Sequence, residues 1–271
     1  MPIVFASAAS HAPGITAWAE LAPALQREKV LSAYHSLQER LARAKPDVLV
    51  AITVEHWANF FLDNIPPFCL GRADHYKGPI EPWLKIPPTQ MPGDRATAST
   101  MLDEFYDAGV DMSFSDELLF DHATMLPLHF LVPGRDIPVI PLIINALTPP
   151  MPTAKRCYEM GNLLGNILDH QTQRVAVIAT GGLSHWPGEP RAGEINTQFD
   201  EEFLAHLTRG ETDALSAYTH AEIALAGGGA HEVRTWIALA GAVSDWQAEV
   251  LAYEPVVPWA TGCGFVHFTN S

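Results

Sequence analysis

Cationic side chains are scarce in this sequence: 16 Lys and Arg stand against 31 Asp and Glu, a formal net charge of −15. Phosphate backbones and anionic bilayers are met by basic faces, so this balance argues against nucleic acid or a membrane surface as partner. Cysteine is scarcer still. Cys69, Cys157 and Cys263 lie far apart with no CxxC pair, a spacing that builds neither a disulfide framework nor a thiolate metal site and fits a reducing compartment. Long apolar runs are missing too, none approaching the roughly 20 residues that a membrane helix needs. The opening MPIVFASAASH has no basic flank and no extended apolar core, so we expect no signal peptide and a cytoplasmic protein. Around Gly181-Gly182 neither the GxGxxG nor the GxxxxGK(S/T) spacing occurs, which leaves a nucleotide role with little support.

What is present is apolar. Of the 271 residues, 48% are hydrophobic and 17% charged, enough to bury a sizeable core. Four short runs, Ile3–Ala8, Val48–Val54, Ile137–Ile144 and Val175–Thr180, are continuously rather than alternately apolar, as strands buried on both faces are. Helical patterns cover 22–44, ended by Pro46, then 95–109, 153–170, 197–221 and 231–243; the last two are split by Gly227-Gly228-Gly229. The Pro-rich stretch 79–93 reads as an ordered surface excursion. Strands alternating with helices predict an α/β fold with a mostly parallel central sheet flanked by helices. With no repeat and no linker, residues 1–271 are expected to form one catalytic domain.

Polar residues follow the apolar runs. The first runs into Ser10-His11, the second into Glu55-His56, the third ends at Asn145, and the fourth leads to Gly181-Gly-Leu-Ser-His185. In open α/β sheets ligands bind beyond the carboxyl ends of the strands, so three histidines and an asparagine should converge there. One histidine at a strand end is ordinarily satisfied by a nearby carbonyl; three at separate ends suggest a divalent metal. His11, His56 and one carboxylate would make a face suited to Fe(II) with positions left open. Glu55, Asp63, Asp121 and Glu232 are the candidate carboxylates. Glu232 opens a helix after the triple glycine, although an acid in a first turn also simply complements the helix dipole. His231 reads equally as a surface cap, His122 as a loop residue and Asp121 as a turn former. Trp57, Phe60, Phe61 and Phe68 read mainly as core, with some available to wall an aromatic pocket. His35, His75, His170, His206, His220 and His267 are read as structural.

Six segments in order carry a resemblance: Ser10-His-Ala-Pro13, the run His56–Gly71, Asp121-His122, Ile137–Asn145, Gly181-Gly-Leu-Ser-His185 with Pro190–Asn196, and His231-Glu-Val-Arg-Thr-Trp236. Over nearly its whole length the chain resembles the class III extradiol dioxygenases, the superfamily of the protocatechuate 4,5-dioxygenase β subunit and 2,3-dihydroxyphenylpropionate dioxygenase. The resemblance implies that His11, His56 and Glu232 bind Fe(II), that His185 is the catalytic acid/base, and that His122 hydrogen-bonds bound substrate or oxygen. It implies a small aromatic substrate cleaved with O₂ to a ring-opened semialdehyde acid. Glu55 departs from the Asp or Asn that commonly precedes the second ligand. Between His185 and Glu232 the chain is short, more like the protocatechuate β subunit, whose lid is a separate small α subunit; a partner of that kind or a homo-oligomer would replace it here. Three alternatives stay open: the same chemistry on a 2-aminophenol or hydroxypyridone ring, a Zn²⁺ hydrolase using the same ligands, and a non-catalytic binding protein. For an anionic substrate, Arg191, Arg234 and Arg72 are the available cations, and Arg191 has an alternative surface pairing with Glu189 or Glu194.

Overall fold

The computed structural model describes residues 2–270. Its strands are β1 (Ile3–Ala9), β2 (Val48–Thr53), β3 (Phe68–Gly71), β4 (His75–Gly78), β5 (Thr89–Pro92), β6 (Ser113–Ser115), β7 (Val139–Ile144), β8 (Val175–Thr180), β9 (Gln247–Val256) and β10 (Thr261–Thr269). Its helices are α1 (Gly14–Ala17), α2 (Ala24–Ala44), α3 (Arg95–Asp107), α4 (His122–Leu131), α5 (Ala154–Asp169), α6 (Thr197–Thr208), α7 (Thr212–Ala217), α8 (His220–Ala224) and α9 (Val233–Ala242). Eight strands form one sheet in the order β6-β3-β7-β2-β8-β1-β10-β9, while β4 and β5 pair separately. The four expected strands are its parallel centre, β7-β2-β8-β1, so their carboxyl ends point the same way.

Every residue of β2, β7 and β8 is buried, which explains the unbroken apolar runs. Successive side chains alternate between two cores, as the pleat requires. Val48, Val50 and Ile52 join α3, α5, α6 and α9 on one face, whereas Leu49 and Ala51 join α2 and α4 on the other. Helices therefore cover both faces of the parallel centre. On the first face α5 and α9 approach closely because side chains are missing where they cross. A Cβ on Gly161 would fall on the Ala238 carbonyl, and one on Gly165 would fall on that of Ala242. This contact seats α9, whose amino end carries Glu232.

Several expectations are corrected. The helical span 197–221 breaks into α6, α7 and α8. His122 is the first residue of α4 rather than a loop residue, with Asp121 as its N-cap accepting from Ala123 N at 3.0 Å. The C-terminal tail is the long antiparallel pair β9–β10, on which His267 Nδ1 donates to the Ala6 carbonyl of the neighbouring β1, 3.0 Å away. Among the described residues no helix is long and apolar enough to cross a membrane.

Candidate metal centre and active site

The parallel strands deliver their side chains to one point. His11 lies two residues beyond β1, His56 three beyond β2, and the loop after β8 carries His185. Glu232 arrives from the opposite side, on the 3-10 turn Gly229–Glu232 that leads into α9. One buried carboxylate joins them all. Its Oε2 is 3.1 Å from His11 Nε2 and accepts from Gly182 N at 2.6 Å; its Oε1 is 3.2 Å from His56 Nε2 and 3.6 Å from His185 Nε2. Burial alone would raise the Glu232 pKa, but the His11 and His185 imidazoles hold it well below the carboxylate range.

Each imidazole is fixed at its other nitrogen. His11 Nδ1 is 3.3 Å from Thr180 Oγ1, and His185 Nδ1 donates to the Leu183 carbonyl at 3.0 Å. Asp121 Oδ2 lies 3.0 Å from His56 Nδ1 and accepts from His56 N at 2.6 Å. Burial depresses the His56 pKa, yet the Asp121 and Glu232 carboxylates outweigh it and push it up to about 10. Asp121 is thus neither a mere turn former nor on the same side of the ring as Glu232. His122 stacks on His56 at 4.1 Å between ring centroids. Its Nδ1 is 2.7 Å from Glu81 Oε1, so the Pro-rich excursion reaches into the site. His11, His56 and His185 thus present Nε2 to a single carboxylate, and all four imidazoles have Nδ1 engaged. Nitrogen donors with one oxygen donor suit a divalent transition metal, and His11, His56 and His122 carry ligand atoms all within 4.8 Å of one another.

Of the other carboxylates, Glu55 accepts from Ala58 N and Asn59 N at 2.6 and 2.8 Å, and Asp63 is exposed. Asn145 is turned into its own loop, accepting from Leu147 N and Thr148 N and donating to the Thr148 and Pro150 carbonyls. That loop walls a cleft of about 520 Å³ over His56 and Glu232, lined also by Trp57, Pro187, Glu189 and His231. Trp57 is therefore a wall residue, 42% exposed, while Phe68 is core and Phe61 is exposed. Arg191 is on the surface, forked onto Glu194 at 2.9 and 2.6 Å. Arg72 pairs with Asp116. Neither lines the cleft.

The triple glycine also has a physical reason. A Cβ on Gly229 would fall on the His185 ring, and one on Gly227, at φ +108°, would fall on the His185 carbonyl. Behind the same loop lies a buried carboxylate that sequence reasoning missed. Asp200 accepts from Ser184 N (2.8 Å), Ser184 Oγ (2.7 Å) and Tyr253 OH (2.7 Å). Burial raises its pKa from 3.8 to about 6 despite those donors. An acid raised in the fold stabilises through its protonated form. That contribution is full below about pH 4 and is lost as pH rises through about 6. We expect Asp200→Asn to flatten the pH dependence of unfolding free energy between about pH 4 and 7. Asp200→Ala, which strands three donors, should cost about 2–4 kcal/mol in denaturant titrations. An Asn variant with the wild-type slope would show that Asp200 does not titrate in this window.

Comparison with known proteins places the chain in a family. The chain is 28% identical to a 2,3-dihydroxyphenylpropionate/2,3-dihydroxicinnamic acid 1,2-dioxygenase of Photorhabdus laumondii subsp. laumondii, covering 90% of this chain and 91% of that one. It is 27% identical to the enzyme of the same name from Klebsiella pneumoniae subsp. pneumoniae, covering 86% and 88%. A solved structure of an uncharacterised Escherichia coli K12 protein shares the fold, with TM-score 0.62 at 18% identity over 87% of this chain and 92% of that one. Residues 6–264 match the family model of the catalytic LigB subunit of aromatic ring-opening dioxygenase. The resemblance drawn from the six motifs is borne out, and the chain belongs to that family of ring-cleaving dioxygenases.

Proposed function

We propose that this protein, acting as one catalytic domain, is an Fe(II)-dependent extradiol dioxygenase that opens a catechol-type ring with O₂ to a semialdehyde acid. The observation that carries the reading is the placement of the His11 and His56 Nε2 atoms at 3.1 and 3.2 Å from the two oxygens of Glu232, beneath a cleft of about 520 Å³ that admits an aromatic ring. Two imidazoles and one carboxylate match the donor set of non-haem Fe(II) sites that keep positions open, so His11, His56 and Glu232 would hold the ion. Bound there, Fe(II) supplies acidification of a ring hydroxyl and electron transfer between ring and O₂.

The side chains supply the rest. With Nδ1–H committed to the Leu183 carbonyl, neutral His185 has its lone pair on Nε2, on the side of Glu232. It is the group that takes a hydroxyl proton and returns it as the carbon–carbon bond breaks. His122 has Nδ1 engaged by Glu81, which leaves its Nε2 edge to orient substrate. Trp57, Leu147, Pro149 and Met151 wall the ring and displace water.

The test is anaerobic reconstitution with Fe(II), followed by O₂ uptake against catechols, 2-aminophenols and hydroxypyridones. The expected result is stoichiometric O₂ uptake and a coloured ring-opened product with catechols. Preferential turnover of the other rings would move the substrate class, and activity with Zn²⁺ alone would replace the oxygenase reading by a hydrolase. Size-exclusion chromatography coupled to light scattering would show whether the chain assembles with itself.

A further inference from the structure

Arg234 is fully buried, and its contacts are unusual for a buried cation. Nε donates to the Pro152 carbonyl (2.7 Å), NH1 donates to His231 Nδ1 (2.8 Å) and to the His231 carbonyl (3.0 Å), and NH2 donates to His220 Nδ1 (2.9 Å). No carboxylate among the described residues pairs with it. Burying a charge without a counter-charge is costly, and four neutral acceptors solvate this one without cancelling it.

A guanidinium only donates, so His231 Nδ1 must accept. The imidazole is then the neutral tautomer, with its hydrogen on Nε2. His231 lines the cleft beside Glu232. Its Nε2 has no protein partner among the described residues, and it is not one of the enclosed polar atoms left without one. A residue that lines the cleft thus carries a fixed, unenclosed N–H donor, polarised from behind by an uncancelled positive charge. The rest of the wall on this side is apolar (Leu147, Pro149, Met151, Pro187), apart from Glu189, whose carboxylate accepts from Gly228 N at 2.9 Å.

We propose that His231, oriented by Arg234, binds a carboxylate carried on a substituent of the substrate ring and so sets the enzyme's preference for acidic over neutral catechols. Arg191 and Arg72 are paired outside the cleft, which leaves the His231–Arg234 unit as the anion-binding element there. His220, exposed at the far end of Arg234, ties the unit to α8. The proposal rests on the reading that the ring sits over His56 and Glu232.

The test compares two probes, 3-(2,3-dihydroxyphenyl)propionate and 3-propylcatechol, on wild type and His231→Phe, each loaded with Fe(II). Equilibrium binding is measured anaerobically by calorimetry and turnover is measured in air. Losing a hydrogen bond to a charged group should weaken binding of the acid by roughly 10- to 100-fold. The acid's KM should rise while its kcat moves much less, and the propyl compound should lose far less affinity than the acid. Arg234→Met, if folded, should lower the acid-to-propyl affinity ratio in the same direction. Equal losses for both probes in His231→Phe, or none for either, would overturn the proposal. If wild type binds both probes but opens neither, the ring-cleavage reading fails instead, and the binding ratio still decides the role of His231.

Discussion

Replacing His185 with alanine should leave metal uptake and ring binding in place while slowing turnover by roughly 10²- to 10⁴-fold, the usual cost of a lost general acid/base. His185 Nε2 is 3.6 Å from Glu232 Oε1, longer than the 3.1 and 3.2 Å of His11 and His56, and its ring is the one packed against glycine. Burial lowers its pKa and Glu232 raises it, with the Leu183 carbonyl adding to the rise; the net direction is upward. An imidazole so balanced can both accept and return a proton, whereas one locked on a metal cannot. The measurements are iron per chain, anaerobic catechol affinity and single-turnover rate. If His185→Ala loses its iron, then His185 is a ligand and the roles must be redrawn. A full wild-type rate would remove it from proton transfer. His122→Ala should cost less.

The parallel centre of the fold was legible because burial on both faces leaves an unmistakable apolar run, and the strand ends then point to the site. The edges were not. In β10, Gly262 and Gly264 interrupt the strand pattern, and their absent side chains are needed where Asp200, Leu183 and Trp236 pack against them. Glycine lowers strand propensity, so the tertiary contact erased the local signal. The same holds for polar partners far apart in sequence. Asp121 serves His56 across 65 residues and Glu81 serves His122 across 41. Neither pairing has a spacing that could announce it, and Glu81 sits in a stretch whose prolines describe only its backbone. His231 and Arg234 were visible as residues beside Glu232, but not as a unit. Their i, i+3 relation places them on one face of the turn entering α9, and only the burial of Arg234 shows that the guanidinium faces inward. The choice of Glu232 came from the family resemblance; from the residues alone four carboxylates stood open, of which Glu232 meets His56 at Nε2, Asp121 meets it at Nδ1, and Glu55 and Asp63 meet neither nitrogen.

That separation makes Glu232→Ala the variant with the largest expected effect: iron falling from about one ion per chain to none, and activity to background. Glu232 meets His56 at Nε2 and His11 at Nε2, whereas Asp121 meets His56 at Nδ1. A metal held by the Nε2 atoms would therefore have Glu232 as its oxygen donor and Asp121 as the group that orients the ring. Losing one of three protein ligands from an open face removes the site, while losing an orienting carboxylate costs metal affinity roughly 10- to 100-fold. Asp121→Ala should consequently bind iron weakly and recover activity at high Fe(II), and Glu232→Ala should not. The alanine also strands the buried Gly182 N–H, at a cost of about 1–3 kcal/mol of stability. Glu232→Gln serves as the control, since its amide oxygen can still accept from Gly182 while lacking the charge. Iron content by emission spectroscopy, with far-ultraviolet circular dichroism to verify folding, reads both variants. Full iron and activity in a folded Glu232→Ala would transfer the ligand role to Asp121 and overturn the assignment.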